Sequence, residues 1–263
     1  MAEETGTEHH PPDLVDSVRR ALRVLEVVAD HPDGIQAKAV ARRLGMPLST
    51  TYHLLNTLVA EGYLLHLEES RGYGLGYKIP MLDRSLRHKL AVSPALTAAL
   101  DQVHQRAHAA AYYAVFRDAD IVVAHVADAP QTPRVDPLDV GFNDAAHALA
   151  FGKVMLASMS ASDRQQYLEE HGLPAFTEQT TTDEPELDVE LKEVADRGLG
   201  LDLEEFRPGL ACVATPVLAV DGTVLGSVAV SVPATSFERA QPRLAAAVRQ
   251  GAVRIGRALA LQH

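Results

Sequence analysis

The sequence predicts an α+β chain in two unequal parts: a small helical unit closed by a hairpin, then a larger unit in which helices flank an antiparallel sheet. Three observations carry that prediction. Apolar residues recur at helical spacing in three short blocks between residues 17 and 61, and an alternating hairpin follows at once. Further along, strand-like runs come in hairpin pairs interleaved with helical blocks, the pattern of helices on an antiparallel sheet. The charge divides at the same place: residues 1–16 carry −5, residues 17–90 carry +4 and residues 91–263 carry −10, for a net −11 over 263 residues.

The first helix is expected over Ser17–Ala29, capped by Asp16 or Ser17. Val18, Leu22, Leu25 and Ala29 form its apolar stripe, with Arg19, Arg20 and Arg23 off it. The turn His31–Gly34 ends it. Gln36–Leu44 reads as a short second helix with Ala39, Val40 and Leu44 inward, and Gly45 suits a left-handed cap. Pro47 fits the first turn of a third helix that runs to about Glu61. Tyr63–His66 and Tyr73–Leu75 then form a hairpin around a polar turn.

Helix, helix, tight turn, helix and hairpin is the plan of a winged helix-turn-helix, expected over residues 17–80 inside the basic block. A recognition helix must pack one face on its domain and present the other to the major groove. Leu48, Tyr52, Leu55 and Val59 read as the packed face, and Ser49, Thr50, His53, Asn56 and Thr57 as the opposite one. Ser49, Thr50, Thr51, His53 and Asn56 are the candidate contacts to bases and phosphates, and Arg71 in the hairpin reaches the backbone or minor groove. An imidazole at His53 would also make DNA affinity depend on pH near neutrality.

Residues 81–92 read as a linker helix whose Met81, Leu82, Leu86 and Leu90 can pair with a second subunit or pack on their own chain. The body, residues 93–263, opens with a helix from Ser93-Pro94 to about His108. Strands are expected at Ala110–Phe116, Ile121–Ala127, Leu199–Leu203, Cys212–Ala219 and Val224–Val232, with Asp221-Gly222 turning the last pair. Helices are expected at Ala145–Met159, Ser162–His171, Glu184–Arg197 and Gln241–Leu261.

Composition excludes several classes. No apolar run approaches the roughly 18 residues of a membrane span. The first 16 residues are acidic, hold no apolar stretch and read as a disordered tail rather than a signal peptide, so a cytoplasmic protein is expected. A single cysteine, Cys212, excludes an internal disulfide framework and a CxxC metal site. Neither a metal nor a cofactor is expected.

Three stretches together resemble the IclR family of bacterial transcription regulators, over about residues 17–261. They are Ala39–Leu58 across the helix-turn-helix, Gly141 with Ala146-His147-Ala148-Leu149-Ala150-Phe151-Gly152-Lys153, and Arg197-Gly198 through Asp202–Glu205 and Pro208–Cys212 to Ser231-Val232-Pro233. The resemblance implies a regulator, not an enzyme. It further implies a profilin-like or GAF-like C-terminal domain that binds a small-molecule effector such as an organic or aromatic acid. Dimers or tetramers acting on palindromic double-stranded operators are implied as well. The family's pocket positions correspond to Asp202, Cys212, Ser231 and the loop Asn143, Asp144 and Ala145. Two departures stand out. Leu48 and His53 occupy positions where family members often carry cations, and Ala229 stands where a second pocket hydroxyl is common. The latter points to a larger or less polar ligand.

The residues leave other classes open. Cys212 with a histidine and an aspartate has the composition of a nucleophile, base and orienter, which would make an enzyme or a plain metabolite-binding protein. Its apolar neighbours Leu210, Val213 and Val217 instead favour a protonated thiol. His104 and His108 sit four apart on a predicted helix without an acidic or thiol partner for zinc. A protein-interaction module working through the linker helix is a third reading.

Overall fold

A computed structural model describes residues 14–67, 72–89 and 92–260. The chain divides into two compact units, residues 1–85 and 86–263.

The first unit holds α1 (Asp16–Ala29), α2 (Ala37–Leu44), α3 (Leu48–Ala60), β1 (Leu64–Leu67), β2 (Gly72–Leu75) and the start of α4 (Lys78–Lys89). Gly45 takes φ 62° and ends α2 in the left-handed region, where a side chain would be strained. The chain then needs only Met46 and Pro47 to enter α3. β1 and β2 pair antiparallel, and Ile35 adds a rung by exchanging backbone hydrogen bonds with Tyr73 at 3.1 and 2.9 Å. The core is Val24, Val28, Ile35, Ala37, Val40, Leu55, Leu64 and Tyr73.

Two helix faces differ from the sequence expectation. In α1 the buried residues are Val24 and Val28, while Val18 and Leu22 are 54% and 53% exposed. The helix carries two apolar stripes, and the unit covers only one. In α3 the buried residues are Thr51 and Leu55 rather than Leu48 and Tyr52, which are 36% and 43% exposed. Rotating the packed face by one residue still places Leu55 inward, so apolar periodicity alone did not separate the two solutions.

The second unit is built on a five-stranded antiparallel sheet in the order β4-β3-β7-β6-β5. The strands are β3 (Ala110–Arg117), β4 (Asp120–Ala127), β5 (Gly200–Leu203), β6 (Leu210–Leu218) and β7 (Val224–Pro233). Helices α5 (Pro94–Ala107) and α9 (Ala234–Ala260) cover one face over a core that includes Leu100, Val213, Val230, Val248 and Ile255. Helices α6 (Ala150–Ser158) and α8 (Glu184–Arg197) cover the other, over Tyr112, Leu149, Met155, Leu191 and Cys212; α7 (Ala161–His171) adds Tyr167 and Leu168 to that core. The side chain of Ser93 caps α5 by accepting from Leu96 N at 3.3 Å.

The helix expected over Ala145–Met159 is two elements. Ala145 adopts φ 60°, a 3-10 turn spans Ala146–Ala148, and α6 begins afterwards. Gly152 permits the fold-back: a Cβ there would stand 2.2 Å from the Ala146 carbonyl oxygen. At the end of the chain α9 begins at Ala234, not Gln241, and runs through Pro242. The proline removes one donor but does not stop a helix whose Leu244, Val248 and Ile255 are fully buried.

Candidate DNA interface and effector pocket

The first unit presents one polar helix face. Ser49, His53 and Asn56 are exposed along α3, and Thr50 is half-buried. Thr57 is exposed, but its hydroxyl donates to the His53 carbonyl at 2.8 Å. Thr51 does not belong to this face: it is fully buried and its hydroxyl donates to the Pro47 carbonyl at 3.1 Å. It serves the core and the start of the helix. Arg71 lies outside the described residues. Tyr52, which the sequence reading placed inward, joins the exposed face instead, giving it an aromatic ring with a hydroxyl.

No side chain caps the N-terminus of α3. Its first-turn N–H groups are thus available to an anion, in the geometry of phosphate binding. Arg23 on α1 and Lys38, Arg42 and Arg43 on α2 are exposed and form no ion pair among the described residues. Arg19 and Arg20 are engaged by Asp16 at 3.8 and 2.9 Å.

In the second unit the register aligns three of the candidate pocket residues. Asp202 pairs with Cys212 across β5 and β6, and Cys212 with Ser231 across β6 and β7. They form one row on the sheet face toward α6 and α8. All three are buried, Asp202 completely. Asp202 Oδ1 accepts from the backbone N–H of Glu205 at 2.9 Å and of Phe206 at 3.4 Å, whereas the enclosed Oδ2 has no hydrogen-bond partner among the described residues. Burial pushes this carboxyl up to about 6 despite those donors. Burial, reinforced by the Asp202 carboxylate, pushes the Cys212 thiol well above its ordinary range. A protonated thiol in this setting is not an activated nucleophile.

At the other end of the row Ser231 Oγ lies 3.2 Å from the Tyr112 hydroxyl, which also accepts from Val135 N at 3.0 Å. Burial raises the Tyr112 hydroxyl to about 12, so it stays protonated at neutral pH. A cleft of about 440 Å³ reaches Ser231 from the surface between the 131–136 and 207–210 loops, with Arg134 and Arg207 in its wall. Arg134 is held by Asp128 and Asp139 at 2.9 and 2.5 Å, and Arg207 Nη1 donates to the Asp136 carbonyl at 3.0 Å.

Behind the row sits Lys153, fully buried, with Nζ 2.5 Å from both Glu190 Oε1 and Glu205 Oε2. Burial lifts Glu205 to about 7 against the pull of this ammonium. His147 bonds the Pro174 carbonyl at 3.0 Å, and burial lowers its pKa. Of the loop candidates, only Ala145 shares the buried core with Cys212. Asn143 is exposed and donates to Asp120 at 3.3 Å, Asp144 is exposed and accepts from Ala145 N at 2.7 Å, and only Ala145 is buried. Tyr112 and Arg207 are the groups that the sequence reading missed. Their only sequence signals were a tyrosine on a strand and an arginine before Pro-Gly.

Among the described residues no group of three His, Cys, Asp or Glu side chains can hold a metal, and no helix is long and apolar enough to cross a membrane. The suggested His104–His108 pair breaks up because α5 ends at Ala107 and His108 turns out at φ 45°.

Residues 17–67 match the IclR helix-turn-helix domain, and residues 84–257 match the bacterial transcriptional regulator IclR C-terminal domain. The chain belongs to the IclR family. Among its relatives, the HTH-type transcriptional regulator KdgR of Escherichia coli (strain K12) is 27% identical over 236 residues, covering 89% of each chain. The crystal structure of the Thermotoga maritima IclR superposes with a TM-score of 0.71 at 22% identity, covering 93% of this chain and 98% of that one. An IclR homolog from Microbacterium hydrocarbonoxydans, solved as a complex with 4-hydroxybenzoate, gives a TM-score of 0.68 at 20% identity, with 92% and 98% covered. As an IclR-family protein the chain is a DNA-binding transcriptional regulator and not an enzyme, in keeping with the inert setting of Cys212.

Proposed function

We propose that this IclR-family regulator binds a palindromic operator as a homo-oligomer and that a small organic acid on the α6 side of its sheet changes the operator affinity. The observation that carries the effector reading is the buried row Asp202–Cys212–Ser231. It combines an enclosed carboxylate oxygen lacking a partner with a hydroxyl pair at the inner end of a surface cleft. A site that is mostly apolar with a few converging polar groups is what a small-molecule pocket requires. The Microbacterium homolog's complex makes an aromatic acid the natural first candidate. Asn143 and Asp144 would then act at the surface near the pocket, and Ala145 as part of its buried wall.

The DNA reading rests on Ser49, Thr50, Tyr52, His53 and Asn56 beside the open N-terminus of α3. Leu48 and His53 replace two family cations, so phosphate contacts fall to Arg23, Lys38, Arg42 and Arg43, and to Arg71 in the hairpin. The oligomer reading rests on exposed apolar side chains. Leu14, Val15, Val18 and Leu22 near and on α1, and Met81 and Leu82 on α4, are all more than half exposed, an arrangement that a partner helix would cover.

The test begins with operators recovered by incubating the protein with fragmented host DNA and sequencing what it retains. Operator affinity is then titrated with 4-hydroxybenzoate and related acids for the parent, Ser231→Ala and Asp202→Asn. A coupling of 1–3 kcal/mol changes affinity about 5- to 150-fold, and both substitutions should abolish that change while leaving ligand-free DNA binding intact. An undiminished response in both would refute the pocket assignment.

A further inference from the structure

The sheet face opposite the Asp202–Cys212–Ser231 row carries a second opening. It is a cleft of about 660 Å³ bounded by the start of α5, the end of α9 and strands β3, β4 and β7. That volume falls within the range of small-molecule sites, about 300–1,000 Å³. Its walls are apolar, chiefly Leu96, Val115, Ala124, Leu225 and Leu259.

Two polar groups indicate the occupant. Tyr113 lines the cleft and is 3% exposed, and its hydroxyl has no hydrogen-bond partner among the described residues. That hydroxyl is not one of the fully enclosed atoms, so its remaining access is to the cleft. Burial raises it to about 12, which keeps it a donor at neutral pH. The ring reaches this place because residue 226 is glycine. A Cβ there would stand 2.8 Å from Tyr113 Cε2 and 3.0 Å from its hydroxyl oxygen. The second group is Arg117, which also lines the cleft, is exposed, and forms no ion pair among the described residues. Its field acts on the Tyr113 hydroxyl. The acid in the wall, Asp221, is occupied in its own turn, accepting from Thr223 N at 2.9 Å.

An apolar wall, a buried hydroxyl donor and an unpaired guanidinium at the rim complement an apolar body bearing one carboxylate. We propose that this cleft is a second small-molecule site, for an apolar carboxylate, separate from the effector pocket on the opposite face. Val92 and Ser93, which lead into α5, form part of its wall. An occupant therefore touches the segment by which the chain enters this unit.

The probe is decanoate, titrated calorimetrically into the full chain, with 1-decanol for comparison. Saturable binding of one decanoate per chain is expected. Arg117→Gln, a change at an exposed position, should weaken decanoate about tenfold, as loss of a charged hydrogen bond does, and leave decanol unchanged. Tyr113→Phe should weaken both. Leu259→Trp should fill the cleft and remove binding, with an unchanged melting profile showing that it folds. Ser231→Ala should have no effect. The proposal is overturned if decanoate does not saturate, or if its affinity is indifferent to Arg117→Gln and Tyr113→Phe. It is equally overturned if Ser231→Ala abolishes binding, which would place the probe in the effector pocket. Dissociation of the oligomer by Leu259→Trp, with no decanoate taken up by the parent, would assign the cleft to a second copy of the chain.

Discussion

Lys153→Met removes the cation at the centre of three carboxyl groups. The ammonium is fully buried and bonded to Glu190 and Glu205 at 2.5 Å, and it also lowers the Asp202 carboxyl at one end of the row. Methionine matches the lysine stem closely, so the change opens little cavity and tests charge. Breaking a buried pair from one side costs on the order of 3–5 kcal/mol, because the remaining charge is left uncompensated. The cost must depend on pH. Glu205 moves from an ordinary 4.5 to about 7 in the folded chain, and Asp202 from 3.8 to about 6. A carboxyl whose pKa is raised by folding holds its proton longer in the native state. Its contribution to stability is complete below the ordinary carboxylate range and is lost as pH rises through the native value. For Glu205 that gap corresponds to roughly 3 kcal/mol. The parent should therefore be less stable at about pH 7.5 than at about pH 5. In the variant no cation opposes the desolvation of these acids, so the full penalty appears at about pH 7.5. It should shrink to around 1 kcal/mol at about pH 5, where both acids are protonated. Urea-dependent hydrogen exchange of the β6 and β7 amides reads this unit alone. An equal loss at both pH values, or no loss at the higher one, would refute the reasoning.

Other outcomes follow from the same geometry. Thr51→Val should cost about 1 kcal/mol of stability through the lost bond to Pro47 without changing operator affinity per folded molecule, whereas Asn56→Ala should weaken a specific operator by 1–3 kcal/mol and leave random DNA unaffected; fluorescence anisotropy with both duplexes separates these. Gly152→Ala should lower the melting temperature of the second unit sharply, because its Cβ would collide with the Ala146 backbone; a loss below about 1 kcal/mol would show that the 3-10 turn yields easily. If α1 carries the proposed oligomer contact, the double substitution Val18→Asp and Leu22→Asp should lower the sedimenting mass without unfolding the chain, since both positions are exposed.

Element identity was largely legible in the sequence because each segment carried its own signal. Gly45 after α2, Ser93-Pro94 before α5 and Asp221-Gly222 between β6 and β7 act over a few residues, and each operates as read. Helix faces were harder. Both α1 and α3 have two apolar stripes, and which one is covered depends on what packs there. The last helix was expected to begin at Gln241, but α9 starts at Ala234 and runs through Pro242, because the burial of Leu244, Val248 and Ile255 outweighs one lost bond. The row of Asp202, Cys212 and Ser231 was named through family likeness; its alignment comes from strand register, which pairs residues many positions apart. The Tyr113 cleft left no trace in periodicity, because a strand tyrosine facing helices reads as ordinary core.

The sheet order has a consequence for how this chain emerges from the ribosome. β7 sits between β3 and β6, and α9 lies on the same face as α5. The second unit therefore joins its beginning to its end only through its last forty residues. Its β3–β4 hairpin has no neighbouring strand until Val224–Pro233 has been made. The first unit closes its core using residues no further along than Tyr73. During synthesis, local contacts complete early and distant strand pairings wait, so the helix-turn-helix is finished while most of the second unit is still untranslated. A nonsense mutation anywhere between β4 and β7 would thus release a folded DNA-reading head on an unfinished sheet. Such a fragment would compete for operators while deaf to the effector, unless proteolysis of the exposed β3 edge removed it first.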